Sequence, residues 1–402
     1  MTRVVMLDPS LFTLPYDRAL CAGLATSGCQ VHLVGRRLRP FERSAADAAL
    51  PLMPHFYRVA ERAPARIAGG AVQRLLKSVE HLIDMARVPA LCDRLRPDVI
   101  HMQWLALPVL DRRILPALRR RAPLILTVHN SVPFHGAAAS RLQLLGAETL
   151  YDQFDQLIAH TPTTRRHLVE RGVDARRIAS VAHGLLPLPE GGGADARADD
   201  GLCRVLFFGE LKPYKGLRLL IDAIAALPPA TRAKLRLHVA GRPRMELAPL
   251  VQLCHEHGFA AQVTWDLRFI RDAEIPQLFA ACDVVALPYH DVDSSGVLTL
   301  ATVAGKAVIA SEIGGFRDLL KADETALLAP LEPVAFAREL GRLVETPALR
   351  RQLAEKLRRH GTAAIPTWSA IGRTTLEVYG RAIALWRAER AGRALRPTPH
   401  RA

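Results

Sequence analysis

Short apolar runs of strand length alternate with segments of helical period along this chain, and that alternation admits few architectures. Arg3–Leu7 reads as a buried strand. A helix follows, with Pro15 in its first turn, Asp17 complementing the helix dipole, and Tyr16, Leu20, Gly23 and Leu24 at helical spacing. Ser27-Gly28 closes that helix, and Gln30–Val34 alternates as a second strand. Asp98–Gln103, Leu124–Asn130 and Gln156–His160 continue the series. Such a pattern predicts parallel strands covered by helices on both faces. Between Pro187 and Asp200 the run PLPEGGGADARADD has no apolar period and marks a boundary. Beyond it the alternation restarts, with strands expected at Arg204–Phe208, Arg236–Ala240, Gln262–Trp265, Asp283–Pro288 and Ala307–Ser311. Two doubly wound halves predict a cleft between them, where ligands bind. Trp368–Arg390 reads as an amphipathic terminal helix with Thr375, Val378, Tyr379 and Ile383 on one face, and Arg393–Ala402 as a basic tail.

The formal net charge of +15 calls for an anionic partner: a phosphate-bearing substrate, an anionic membrane surface or nucleic acid. Aromatic residues make up only 5% of the chain, too few stacking platforms for a single-strand binder, so no nucleic acid is expected. Six cysteines without C-x-x-C spacing read as buried thiols of a reducing compartment. Val4–Leu7 is too short for a signal-peptide core, and the apolar run from Val297 is broken by Lys306 before it could span a bilayer. A cytoplasmic protein is expected, with peripheral contact at the inner face of an anionic membrane. The apolar stretch Ile114–Leu118, flanked by Arg112, Arg113, Arg119, Arg120 and Arg121, is the candidate lipid patch; a solvated helix face is the alternative.

The most informative segment is FFGELKPYKG, residues 207–216. A strand ends at Gly209 and a helix is expected to begin near Lys215, with Leu217, Leu220, Ile221, Ile224 and Leu227 facing inward. Cations at a helix N-terminus oppose the macrodipole, so Lys212 and Lys215 make sense if they share an anion with the free N–H groups there. A second strand–loop–helix unit repeats the logic. After Asp283–Pro288, a polar loop leads to Ser295-Gly296-Val297, which opens a helix ending at Gly305. Serine caps well, and the adjacent glycine permits close approach of an anion to the backbone. A solvated loop and an ordinary capped helix are the plainer readings of these segments. His129 ends a strand, where crevice-lining residues lie, and is a candidate substrate contact. His101 and His183 read as satisfied buried imidazoles. No H-x-x-x-H pair or carboxylate cluster is present, so no metal site is expected.

These stretches carry a resemblance. DVIHMQW, LTVHN, VAHG, LFFGELKPYKGL, HVAG, LFAACDVVALPY, SSGVLTLATVAGKAVIASEIGG and DETALLAP occur in this order between residues 98 and 330, within a likeness that runs from residue 3 to about 380. Together they resemble the GT-B glycosyltransferases, specifically the retaining, nucleotide-sugar-dependent family 4. The resemblance implies an α/β fold of GT-B architecture. Two Rossmann-like domains would face a central cleft, with the C-terminal helix docking across domains. It implies an acceptor-binding domain over residues 1–187, a linker over 188–201 and a nucleotide-sugar domain over 202–367, followed by a helix over 368–390 and a tail over 391–402. It further implies transfer of a hexose from a nucleoside-diphosphate sugar to an acceptor hydroxyl with retention and without metal. The acceptor would be a saccharide or lipid-linked glycan of surface polysaccharide or glycoconjugate synthesis. The nucleotide sugar is a co-substrate, and no cofactor is implied. By the same resemblance His129, Lys212 and Lys215 are catalytic. Gly209, Lys212, Lys215, Asp293, Ser294, Ser295, Gly296 and Val297 bind the donor, and Gly314-Gly315 forms a backbone turn beside it.

The chain departs from the family pattern in places. Aligned on Ala304-Gly305-Lys306, the two glutamates common in the family are Val292 and Leu300, with Asp293 one position away. A branch of the family with S-G-V in this loop also lacks the second glutamate. The residue after Gly209, often arginine, is Glu210, and the loop Asp8–Tyr16 lacks the usual glycine pair. Two other readings fit these departures: a nucleotide-sugar epimerase on the same fold, and a non-catalytic subunit that binds a nucleotide or a partner.

Overall fold

The computed structural model describes residues 1–43, 47, 49–62, 71–129, 150–188 and 200–394. Among these, one compact unit gathers everything up to Ala182 together with Thr367 onward, and a second holds His183–Pro366. Asn130, most of the expected linker and the end of the basic tail lie outside the described residues.

The first unit is built on seven parallel strands in the order β3-β2-β1-β4-β5-β6-β7. They are β1 (Thr2–Asp8), β2 (Cys29–Arg36), β3 (Leu52–Phe56), β4 (Val99–Met102), β5 (Leu124–Val128), β6 (Gln156–Ala159) and β7 (Ile178–Ser180). The second has six, β10-β9-β8-β11-β12-β13. These are β8 (Cys203–Phe208), β9 (Leu235–Ala240), β10 (Val263–Asp266), β11 (Val284–Leu287), β12 (Ala307–Ser311) and β13 (Leu327–Ala329). Strand order reverses direction beside β1 and β8, so the carboxyl ends of β1, β4, β8 and β11 flank the switch points where α/β sheets bind ligands. Each sheet has its own apolar core, with Ile100, Leu124 and Leu157 fully buried in the first and Val205, Leu237 and Ile309 in the second. All six cysteines are buried thiols.

The strands that the sequence pattern did not yield, β3 and β13, are both sheet edges. β3 carries Pro54, which an edge tolerates because no inner ladder needs its missing N–H. The first helix runs over Leu14–Thr26 with proline at its start. Asp17 falls in its first turn, as expected. It is fully buried, and the Thr13 hydroxyl lies 3.3 Å from Asp8 and 3.5 Å from Asp17. Burial pushes both carboxyls up, and the charge of Asp8 raises Asp17 further.

The terminal helix, Trp368–Ala394, extends four residues past the expected end and packs on the Leu14–Thr26 helix of the first unit. The inward face is Ile371, Thr375, Val378, Tyr379 and Ala382; Ile383 is only half-buried. Two glycines allow the approach. A Cβ on Gly23 would stand 2.1 Å from the Trp368 carbonyl oxygen, and one on Gly372 2.1 Å from that of Gly23. His101 is the satisfied imidazole the sequence suggested, bonded at 2.7 Å to both the Tyr379 hydroxyl and Thr127 Oγ1. Burial pushes this ring down to about 3, so it stays neutral, with one nitrogen donating and the other accepting. Tyr379→Phe leaves one ring nitrogen without its partner, and urea denaturation should show a loss of about 1–2 kcal/mol.

The basic stretch Arg112–Arg121 does not form a lipid patch. Leu115 and Leu118 are fully buried in the core, Arg119 pairs with Asp155 at 2.8 Å and with Glu389, and Arg121 pairs with Asp93 at 2.7 Å. The sequence pattern reflected a core-facing helix, with Arg119 and Arg121 held in ion pairs.

Candidate active site

The site in the second unit starts where β8 ends. Gly209 has φ +102°, and a Cβ there would lie 2.7 Å from Lys215 Nζ. The missing side chain therefore makes room for the ammonium group. Pro213–Lys215 forms a single 3₁₀ turn, Gly216 follows at φ +71°, and the α-helix begins at Leu217. Lys215 thus precedes the helix instead of opening it. Gly216 is required by space as well as by φ, because its Cβ would meet the Pro288 carbonyl oxygen at 1.8 Å. The His290 N–H donates to the Tyr214 carbonyl at 2.7 Å. These contacts fasten the loop after β8 to the loop after β11.

Lys215 is buried. Its Nζ donates to the Phe208 carbonyl at 3.3 Å and lies 5.5 Å from the centre of the Tyr289 ring. Burial, and then the neighbouring charge of Lys212, push its ammonium group down to about 8, while Glu210 acts in the opposite direction. Lys212 Nζ sits 3.0 Å from Glu210 Oε2, and Arg244 Nη2 lies 2.8 Å from Glu210 Oε1. Burial alone would raise the Glu210 carboxyl; Lys212 and Arg244 outweigh it and hold it below its ordinary value.

Arg244 went unnoticed in the sequence. It arrives through a short backbone ladder: Leu211 N–H donates to the Arg242 carbonyl, and Arg244 N–H donates to the Leu211 carbonyl, both at 2.9 Å. At Gly241, φ +146°, a Cβ would fall 1.9 Å from the Gly209 carbonyl oxygen. Only glycine lets these two loops touch. Two cations, Lys212 and Arg244, therefore hold one carboxylate, and the buried Lys215 feels the charge of both Lys212 and Glu210.

The second expected segment adjoins the first. Ser295 caps the helix Gly296–Val303, its Oγ accepting from Leu298 N–H at 3.3 Å. Val297 Cγ2 lies 3.7 Å from the position a Gly209 Cβ would take, so this helix starts beside the lysine loop. Asp293 is buried and Ser294 half-buried. A Cβ on Gly315 would meet the Val292 and Asp293 carbonyl oxygens at 2.1 and 3.1 Å, which brings the Gly314-Gly315 turn against the same loop. Gly209, Lys212, Lys215, Ser295, Gly296, Val297 and the Asp293 backbone thus fall in one neighbourhood. Val292 and Leu300 are buried apolar groups there.

His129 belongs to the first unit, just past β5. Its Nε2 lies 3.0 Å from Gln103 Oε1; its ring stacks on Trp104 and meets Tyr16 edge-on. His183 is in the second unit, with Nδ1 2.8 Å from the Gly184 carbonyl oxygen, and burial pushes it down.

Residues 15–184 match the family described as Glycosyl transferase 4-like domain, and residues 195–360 the family Glycosyl transferases group 1. The chain is 29% identical to the D-inositol 3-phosphate glycosyltransferase of Salinispora tropica over 300 residues, 65% of this chain and 60% of that protein. The enzyme of the same description from Kineococcus radiotolerans is 29% identical over 313 residues, covering 69% and 70% of the two chains. The chain thus spans under two thirds of the length of the first of these relatives. Among solved structures, Anabaena Alr3699/HepE in complex with UDP and glucose superposes over 95% of this chain and 100% of that one, with TM-score 0.68 and 19% identity. The sucrose-phosphate synthase of Thermosynechococcus elongatus covers 96% and 100%, with TM-score 0.70 and 18% identity.

Proposed function

For a chain that carries both domains of a GT-B glycosyltransferase, we propose transfer of a hexose from a nucleoside-diphosphate sugar to an acceptor hydroxyl with retention at the anomeric carbon. The observation that carries this reading is the buried Lys215 ammonium in the space left by Gly209, beside Lys212 and the Ser295-capped helix. Placing a cation out of water is unfavourable unless an anion joins it, and a diphosphate that gains charge as its sugar departs is such an anion. Lys212, Lys215 and Arg244 supply the positive charge that a metal ion supplies elsewhere, so the reaction proceeds without one. The helix N–H groups of Gly296 and Val297 add backbone donors, and Ser294 and Asp293 line the donor side of the loop. His129 contacts the transferred sugar.

In the step proposed, the bond from the anomeric carbon to the phosphate oxygen breaks. The acceptor oxygen bonds to that carbon on the same face, and the acceptor proton passes to the departing phosphate. No side-chain base is then required. The acceptor is a saccharide or lipid-linked glycan of surface polysaccharide or glycoconjugate synthesis, a class consistent with the basic charge of the chain. The HepE structure with UDP-glucose supports UDP-glucose as the first donor to examine.

A thermal-shift panel of UDP, GDP, ADP and their sugar conjugates tests the reading. A ligand at about 100 times its Kd should add about 2.7 kcal/mol to stability. No shift with any of them sinks it. The apolar Val292 and Leu300 favour one other reading, a subunit that binds nucleotide without turnover; nucleotide binding with no transfer to any acceptor selects that reading instead. Arg244→Ala removes one of the proposed charge-assisted contacts, and the Kd for the nucleoside diphosphate, measured by calorimetry, should weaken about tenfold.

A further inference from the structure

Two of the cations assigned to the donor diphosphate already hold an anion that belongs to the chain. Glu210 Oε1 lies 2.9 Å from Arg244 Nε and 2.8 Å from its Nη2, while Oε2 lies 3.0 Å from Lys212 Nζ. One carboxylate thus spans both side chains with its two oxygens, as a phosphate presenting two oxygens would. Its charge also reaches the buried Lys215, where it opposes the effects of burial and of Lys212.

As a brace between the loops after β8 and β9, this salt link would be redundant. Main chain already joins them, through the Leu211–Arg242 and Arg244–Leu211 hydrogen bonds at 2.9 Å and the close approach of Gly241 to the Gly209 carbonyl. The ion pairs can therefore exchange partners without the loops parting. The Glu210 and Arg244 side chains are 36% and 45% exposed, so both can turn into water, which the buried Lys215 cannot. Ion pairs at such exposure are weak, and a ligand with more negative charge than one carboxylate displaces them. A nucleoside diphosphate is such a ligand, and it gains further charge when its sugar departs. Glu210 then stands beside it as a like charge with a claim on the same cations.

We propose that Glu210 is a positioning residue that competes with the donor diphosphate for Lys212 and Arg244. It holds the two side chains in the empty site, yields them as the donor binds, and retakes them as the nucleoside diphosphate leaves. The proposal rests on the donor-site reading given above. Calorimetry with UDP, inorganic pyrophosphate and uridine on the wild type, Glu210→Gln and Glu210→Asp tests it. Glu210→Gln should bind UDP and pyrophosphate about tenfold more tightly, because a like charge beside the phosphates is gone. Inhibition by product UDP should strengthen in step, and uridine, which has no phosphate, should not respond. Glu210→Asp keeps the charge and should restore most of the competition. The ¹³C carboxyl resonance of Glu210 supplies a readout that a mere brace would not move. Burial raises this carboxyl, and Lys212 and Arg244 more than offset that in the empty site, so its pKa should climb when UDP takes the two cations. Unchanged or weaker UDP binding by Glu210→Gln, or a carboxyl pKa that ignores bound UDP, overturns the proposal and leaves the donor site standing. Failure of both UDP and pyrophosphate to bind any of the three proteins removes the donor site, and this proposal with it.

Discussion

Replacing Lys215 by alanine should slow sugar transfer by about 10²–10³-fold, comparable to removing one preorganised donor from a transition-state site. Diphosphate affinity should fall in parallel. The folded protein should survive the change, because the substitution removes a buried cation that is unfavourable in the empty site. Lys215→Met keeps the packing volume and separates charge from shape; it should match alanine in activity. A full-rate Lys215→Met enzyme removes the lysine from the mechanism. The same group gives a pH signature. It is pushed down to about 8 from the usual 10.5, so the empty site carries the charge below pH 8 and loses it above. Diphosphate binding should therefore weaken as pH rises through 8, by up to tenfold per unit, and calorimetry in buffers of different ionisation enthalpy should detect proton uptake near that pH. Ligand-free stability runs the other way. Between pH 8 and 10.5 the unfolded chain holds the proton that the folded one has released, so this group's contribution to stability rises with pH. Both trends should vanish in Lys215→Met.

Gly372→Ala should lower the stability of the first unit by about 3 kcal/mol, read as a fall in Tm of about 6–12 °C. The added methyl meets backbone, the Gly23 carbonyl oxygen at 2.1 Å, which cannot rotate away as a side chain can. The terminal helix must then ride outward, and the Tyr379–His101 hydrogen bond stretches with it. Gly372→Ser should behave alike, whereas Gly380→Ala, with open space at its Cβ, should leave Tm unchanged. Equal melting of wild type and Gly372→Ala by circular dichroism removes the close helix contact from the account.

The inner strands were legible because each is a short apolar run between turn residues; β12 matches its expected bounds residue for residue. The edge strand β10 was legible as well, at Gln262–Trp265, but a three-residue edge such as Leu327–Ala329 has no room for a period. The Ala71–Leu95 helix drew no assignment for a different reason. Apolar residues lie on both sides of it, with Met85, Val88, Leu91 and Cys92 in the core and Val72, Leu75 and Val79 exposed, and Pro89 interrupts its hydrogen bonding, so no single stripe stands out. The lysine loop was legible through its punctuation by glycine and proline. Its helix start was misplaced because Gly216, in the left-handed region, separates Lys215 from the helix. Arg244 could not be found from local pattern, since only the Leu211–Arg244 backbone ladder brings it to Glu210, and Glu210 itself read as a lost arginine. Asp17 was legible as a first-turn carboxyl but its burial beside Asp8 was not, since dipole complementarity at a helix start looks the same whether a carboxyl is exposed or buried.

The helix Trp368–Ala394 follows residues 183–366 in the chain and completes the unit that precedes them. While the ribosome is still making residues 183–366, the Leu14–Thr26 helix has Gly23 uncovered and His101 lacks the tyrosine hydroxyl it later holds. The first unit therefore waits, open along one seam, until translation has passed Tyr379. An isolated fragment ending at Ala182 keeps that seam permanently, and a stable single-unit version of this protein has to splice Thr367–Ala394 back onto it.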